Sequence, residues 1–242
     1  MVTYSSTQGA GKCAWTLAGP KGRDRKAFQD FVLNDLAKAA ARLMPGATGV
    51  SVTLQQPDAW SGASVPVENV QQPVDAVLEI TVAQPYAPLD PVNAHLSANC
   101  GHVQGWRVHP TLIFDASAPT PLGQPSAQPN VLVFLRRLDG ATPEHFHHNW
   151  YMHAGHPDGQ EAESEASRAT RAGMERSMRG RYVQNRTLEA ITPTAWVMTG
   201  YTSLNLPALM TGPVARYERH RGEQIFEEWP PHFVQGPAYQ LV

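Results

Sequence analysis

The stretch HFHHNWYMHAGH, residues 145–156, holds five of the chain's ten histidines, with aromatic residues in most of the gaps. Imidazole titrates near neutral pH and binds metals, so such a tract can be an acid/base site, a metal cage or simply a polar helix face. His145 with His148, and His153 with His156, are three apart, a spacing at which one helix brings two rings to one ion. HExxH is absent, however, and no cysteine or carboxylate is spaced to complete the shell, so no metal is expected. A helix advances about 100° per residue. With Phe146 as origin, Trp150, His153, Asn149 and then His156 fall within one inward arc, His147 sits at its margin, and His148 and Tyr151 point away. The five histidines therefore do not form one site. His145 and His148 read as a solvated face. His153 and His156 share the side of Phe146 and Trp150, where partial desolvation would lower an imidazole pKa and leave a base near neutrality. The plain alternative for this pair is a hydrogen-bonded histidine at a helix C-terminus.

Other polar residues fall on expected strands. In GRYVQNRTLEA (180–190), alternation sends Tyr182 and Gln184 to one side and Asn185 to the other. Tyr182 can act as a general acid or as a hydrogen-bond donor to an anion; its plain reading is a core tyrosine with a satisfied hydroxyl. Arg107 and His109, alternate residues on another strand, can form a carboxylate clamp, or else an outward-facing pair. Cys13 and Cys100 have no CxxC spacing, and two free thiols are expected. No GxGxxG fingerprint, phosphate loop or GxSxG elbow is present, which demotes nicotinamide, ATP and serine-hydrolase chemistry. A net charge of −2 without a basic stripe argues against nucleic acid. No segment reads as a secretory signal or a membrane span, so a cytoplasmic protein with no membrane partner is expected.

The elements that must position these residues come in two sets. Hydrophobic residues at 42%, with 21 prolines and 19 glycines, suit a globular chain with many turns. A Pro-rich surface connection (116–129) separates residues 1–115 from residues 130–242. In the first part, strands at 12–19, 49–56, 74–83 and 105–115 and helices at 23–44 and 88–101 follow the order β-α-β-β-α-β. The long helix presents Phe28, Phe31, Val32, Leu36, Ala39 and Leu43 on one face. In the second part, strands at 130–140, 180–190, 194–204 and 232–242 alternate with helices beginning at Thr142–Pro143 and within 159–178 and 206–222. The order is the same, the split βαβ pattern of ferredoxin-like folds. A four-stranded antiparallel sheet with both helices on one face needs cover on the other. The expected fold is therefore α+β: two ferredoxin-like repeats facing each other in an intrachain α+β barrel, helices outside. Two repeats can complete it without a second copy, which leaves a homodimer optional.

Three motifs in order, covering roughly residues 130–204, resemble the EthD-like family of the dimeric α+β barrel superfamily. RRLDGATPEHFHHNWYMHAGH resembles its opening strand and helix, carried by Phe146, Trp150 and either His153, three after the tryptophan, or His156, six after it. RGRYVQNRTLE and AWVMTGYTSL resemble its next two strands. The resemblance implies a small-molecule pocket between sheet and helices. It also implies relatives among cofactor-free decarboxylases and dehydratases of aromatic or polyketide compounds, cofactor-free oxygenases and haem-degrading enzymes. The leading expectation is a cofactor-independent lyase acting on a small aromatic, lignin-type carboxylic acid, with no cofactor. His153, His156 and Tyr182 are its catalytic candidates; Phe146, Trp150, His147, Asn185, Arg107 and His109 are its substrate-binding ones. The rivals are an oxygenase on the same fold, cofactor-free or with haem on one histidine, and a non-catalytic binding protein for a hydrophobic metabolite.

Overall fold

A computed structural model describes residues 11–56, 74–83, 88–115, 117–137, 140–153, 172, 180–205 and 226–242. The first set of elements is β1 (Gly11–Ala18), α1 (Arg25–Phe31), a π-helical turn (Val32–Leu36), α2 (Ala37–Leu43), β2 (Ala47–Leu54), β3 (Ala76–Val82), α3 (Asp90–Asn99) and β4 (His102–Asp115). The second set is β5 (Asn130–Arg137), α4 (Pro143–His153), β6 (Arg181–Ala190), β7 (Gly200–Asn205), β8 (Phe226–Gly236) and β9 (Ala238–Gln240). Apart from residue 172, which is helical, the helices expected within 159–178 and 206–222 lie outside the described residues.

The nine strands among the described residues form one antiparallel sheet in the order β8-β5-β7-β6-β4-β1-β3-β2-β9. Each half runs fourth, first, third, second, and the halves join where β4 pairs with β6. The chain's end draws the free edges together. β8 pairs with β5, and β9 then pairs with β2 from Thr53↔Ala238 to Ser51↔Gln240. Between them Gln56 N–H donates to Gln235 O at 2.8 Å and Leu54 N–H to Pro237 O at 3.1 Å. The result is a nearly closed barrel, the expected α+β architecture, which leaves few unpaired strand edges.

Local signals explain most of the elements. Asp24 caps α1 by accepting from Ala27 N–H, and Gly46, at φ +72°, turns the chain after α2. Thr142 Oγ1 accepts from His145 N–H with Pro143 opening α4, the expected start. The first long helix differs in detail. Its buried apolar positions are Phe28, Val32, Leu36, Ala37, Ala40 and Met44, while Leu43 is 39% exposed and Ala39 only half-buried. The π turn widens the helix, so the buried face recurs every fourth residue and rotates away from where a uniform 3.6-residue period places it. Residues 194–199 are not strand; Ala195 and Trp196 instead pack against the apolar end of the barrel interior. The connection at 117–129 binds along β9, with Gly123 N–H donating to Gln240 O and Ser126 N–H to Ala238 O, both at 2.7 Å. No helix among the described residues is long and apolar enough to cross a membrane.

Gly236 lies where the closing strand crosses β2, and a Cβ there would collide with the Leu54 carbonyl. Gly236→Ala should lower stability by about 1–3 kcal/mol, the usual cost of overpacking a tight contact. A urea-denaturation midpoint equal to that of the parent chain would show that the seam yields freely.

Candidate functional site

Side chains on the outer face of the second half lie under α4. Phe146 and Trp150, both fully buried, pack with ring centroids 5.5 Å apart against Val131, Val133 and Leu135 of β5. The Trp150 indole needs the bare backbone of Gly200, where a Cβ would come within 2.5 Å of the ring. His147 is half-buried, its ring 5.2 Å from Phe146 and 6.2 Å from Trp150. His145 is exposed; Asn149 is half-buried and turns its amide back to His145 O. His153 ends α4, and His156 lies outside the described residues.

Strand alternation divides the β6 residues as their spacing requires. Gln184 Nε2 donates to Trp150 O and to Tyr182 Oη, both at 2.9 Å, so Tyr182 and Gln184 belong to the α4 side. Asn185 faces the lumen and donates to Tyr201 O at 3.3 Å. Gln184 is fully buried, and among the described residues its Oε1 has no partner; neither has Oγ1 of Thr202, directly opposite on β7. Buried polar atoms without partners are costly and uncommon.

Arg107 and His109 stand elsewhere, beside the junction of the halves. Arg107 is buried and its Nε donates to Glu189 Oε1 at 2.6 Å, so the chain's own carboxylate already holds the guanidinium. The β4–β6 register slips between Arg107 and Val108. His109 pairs across from Arg186; burial first, and that cation second, push its pKa below the ordinary value. Both cysteines are free, and burial pushes Cys13 up to about 11 and Cys100 to about 12, which keeps them protonated at neutral pH. Among the described residues no three histidine, cysteine or carboxylate side chains gather around a common point.

The barrel lumen contains a second polar arrangement. At one end Ala14, Val77, Trp106, Val108, Leu132, Phe134 and Val234 make an apolar core. At the other, Lys12 Nζ meets Glu79 Oε1 at 2.8 Å, Tyr201 Oη donates to the same oxygen at 2.6 Å, and Ser51 Oγ approaches Oε2 at 3.3 Å. β3 and β7 are four strands apart around the sheet, so the tyrosine–glutamate bond spans the lumen. Burial alone would raise the Glu79 pKa. The Lys12 ammonium and the hydrogen bonds from Lys12 and Tyr201 outweigh it and hold the carboxyl below its usual range. Tyr201 is pushed well above its ordinary value, by burial and then by the adjoining carboxylate. No motif or spacing in the sequence joins these residues. The group's signal was Glu79, the lone charge in the apolar strand AVLEITV, on the face that had to meet the opposite sheet.

The strand order and outer helices define an α+β barrel of two ferredoxin-like halves. No protein-family model matches the chain, and no curated protein does. Similar solved structures include an anthrone oxidase-like protein at 9% identity and TM-score 0.49, over 98% of this chain and 91% of that one. Others are a candidate monooxygenase from Lactobacillus acidophilus (8%, TM-score 0.41, 81% and 76%) and a variant chlorite dismutase from Candidatus Nitrospira defluvii (9%, TM-score 0.41, 95% and 91%). Likeness at this level speaks to neither substrate nor reaction.

Removing Lys12 leaves Glu79 buried beside a phenol without its contacting cation, with only the weaker influence of Arg181 remaining. Lys12→Met should cost about 3–5 kcal/mol at neutral pH, the usual penalty for orphaning a buried charge. Because the Glu79 pKa is depressed in the folded state, its contribution to stability is present above the ordinary glutamate value of 4.5 and is lost as pH falls through the lower, folded value. The Lys12→Met penalty should therefore shrink on acidification, when the carboxyl takes up a proton. A penalty that stays constant in denaturation curves from neutral to acid pH would refute the ionised pair.

Proposed function

We propose that the chain is an EthD-like enzyme that binds a small aromatic carboxylic acid on the α4 side of the second half and acts on it as a cofactor-independent lyase. The observation supporting this reading is the buried polar group on the outer face of β6 and β7. The Tyr182 hydroxyl and Gln184 amide lie side by side against the Trp150 backbone, while Gln184 Oε1 and Thr202 Oγ1 lack partners among the described residues. A phenolic hydroxyl is a donor of the kind such acceptors need, and Phe146 and Trp150 give the neighbouring wall its aromatic character.

Decarboxylation requires no redox partner. His153 or His156 takes the phenolic proton and, as the imidazolium, delivers a proton to a carbon of the side chain or ring, giving a quinonoid form. The C–C bond to the carboxylate then breaks, carbon dioxide leaves, and the bonding pair restores the phenolate. The phenolate takes up a proton from solvent, so the net change is one solvent proton in place of the carboxylate. Tyr182 serves as hydrogen-bond donor to the developing anion. Asn185, Arg107 and His109, which face the lumen or the junction of the halves, have no part in this version of the site.

A mass-spectrometric screen of phenolic carboxylic acids, scored for loss of carbon dioxide or water, tests the reading. His153→Ala or His156→Ala should cut turnover about 10²-fold with the fold intact by circular dichroism, and Tyr182→Phe should do so by a smaller factor. Full activity in both histidine variants sinks the catalytic assignment. Turnover that requires oxygen replaces the lyase with an oxygenase, and tight binding without product replaces it with a binding protein.

A further inference from the structure

The polar end of the lumen opens into a cavity of about 510 Å³, within the range of about 300–1,000 Å³ usual for small-molecule sites. It is separate from the α4 face, because strand alternation puts the two on opposite sides of β6 and β7. One wall is apolar, formed by Pro110 and Leu112 of β4 and Val183 of β6. The facing wall presents hydroxyls from β2 and β7 beside Lys12 and Glu79, and the connection at 117–128 lines one side.

Each wall hydroxyl is already oriented by a neighbour. Ser51 donates to Glu79 Oε2 at 3.3 Å, Thr53 accepts from Asn130 Nδ2 at 2.9 Å, and Ser203 donates to Asn130 Oδ1 at 3.0 Å. The ammonium of Lys12 has three donors, of which Glu79 takes one. A ligand here meets donors and acceptors in fixed positions, which lowers the cost of ordering them on binding. Charges balance: Lys12 is matched by Glu79 and Arg181 by Asp115, 3.4 Å away. A free anion would meet the Glu79 carboxylate, and a free cation would meet Lys12. Filling such a lumen with apolar side chains is often at least as stable as burying an ion pair, so stability alone does not account for the charged floor.

We propose that the barrel lumen is a binding site for a neutral, polyhydroxylated small molecule of about monosaccharide size. Such a molecule has hydroxyls that both donate and accept, which suits the wall of Ser51, Thr53, Asn130 and Ser203. Its ring also has a C–H face, which suits the wall of Pro110, Leu112 and Val183. Lys12 donates to a ligand oxygen while Glu79 stays paired.

Glucose, xylose, glycerol and myo-inositol, with gluconate and lactate as charged controls, can be titrated into the full chain and followed by amide chemical shifts. At least one neutral polyol should perturb Ser51, Asn130 and Ser203 selectively and saturably. Ser203→Ala should weaken that binding about fivefold, the loss of one neutral hydrogen bond. Leu112→Trp, which fills the cavity from its apolar wall, should abolish it and leave the circular dichroism spectrum and any turnover at the α4 face unchanged. The proposal is overturned if no neutral polyol perturbs these residues, if gluconate or lactate binds more tightly than every neutral probe, or if a folded Leu112→Trp chain binds as well as the parent.

Discussion

A four-stranded antiparallel sheet that carries both helices on one face must bury its other face against something, and this chain uses a second sheet of the same order. Two contacts make that arrangement hold. β4 pairs with β6 along most of their length, and the terminal strand passes from β5 to β2. Once both are made, every strand has one face under helices or solvent and the other in a common lumen. Interior pairs such as Glu79 with Tyr201 and Thr53 with Asn130 then join the two halves, which cannot move apart without breaking these contacts and the closing strand together.

The lumen is where this constraint meets electrostatics. A carboxylate, an ammonium and a phenol share one oxygen across the barrel, in surroundings that penalise each of them when alone. Their stability is conditional on one another. The carboxyl stays ionised because the cation and the phenolic proton are held to it, and the phenol stays protonated because the carboxylate faces it. The stack of Tyr201 on Phe134, with centroids 5.1 Å apart, fixes the ring from the apolar end, so packing and polar contacts agree on its position.

Much of the fold could be read from residue patterns. Period-two alternation marks β2 and β3, Thr142 with Pro143 marks the start of α4, and the repeated β-α-β-β-α-β order implies the facing sheets. Errors came where tertiary context changes local geometry. The π turn in the first long helix shifts its buried face from Leu43 to Met44, and no periodicity count anticipates an inserted residue. Residues 194–199 have the composition of a strand, yet they serve as cover for the barrel end, with Trp106 Nε1 donating to Trp196 O at 3.1 Å. Among the candidate site residues, Tyr182 was separable from Asn185 by alternation alone, and the structure sets Tyr182 and Gln184 on one side of β6 and Asn185 on the other. Arg107 looked equally available, but Glu189, 82 residues away in the chain, had already engaged it.

By itself the sequence determined the order of most described elements and the side on which residues of a strand such as β6 lie, because these follow from backbone periodicity and local capping, which act over a few residues. It also determined that Phe146 and Trp150 share a face, since four residues make about one helical turn. Tertiary structure decided which faces meet. That Glu79 from β3 would receive Tyr201 from β7, that Ser203 and Thr53 would both bond to Asn130, and that a polar cavity would remain beside them depends on barrel closure. Closure joins residues more than a hundred positions apart, and no local pattern carries that information.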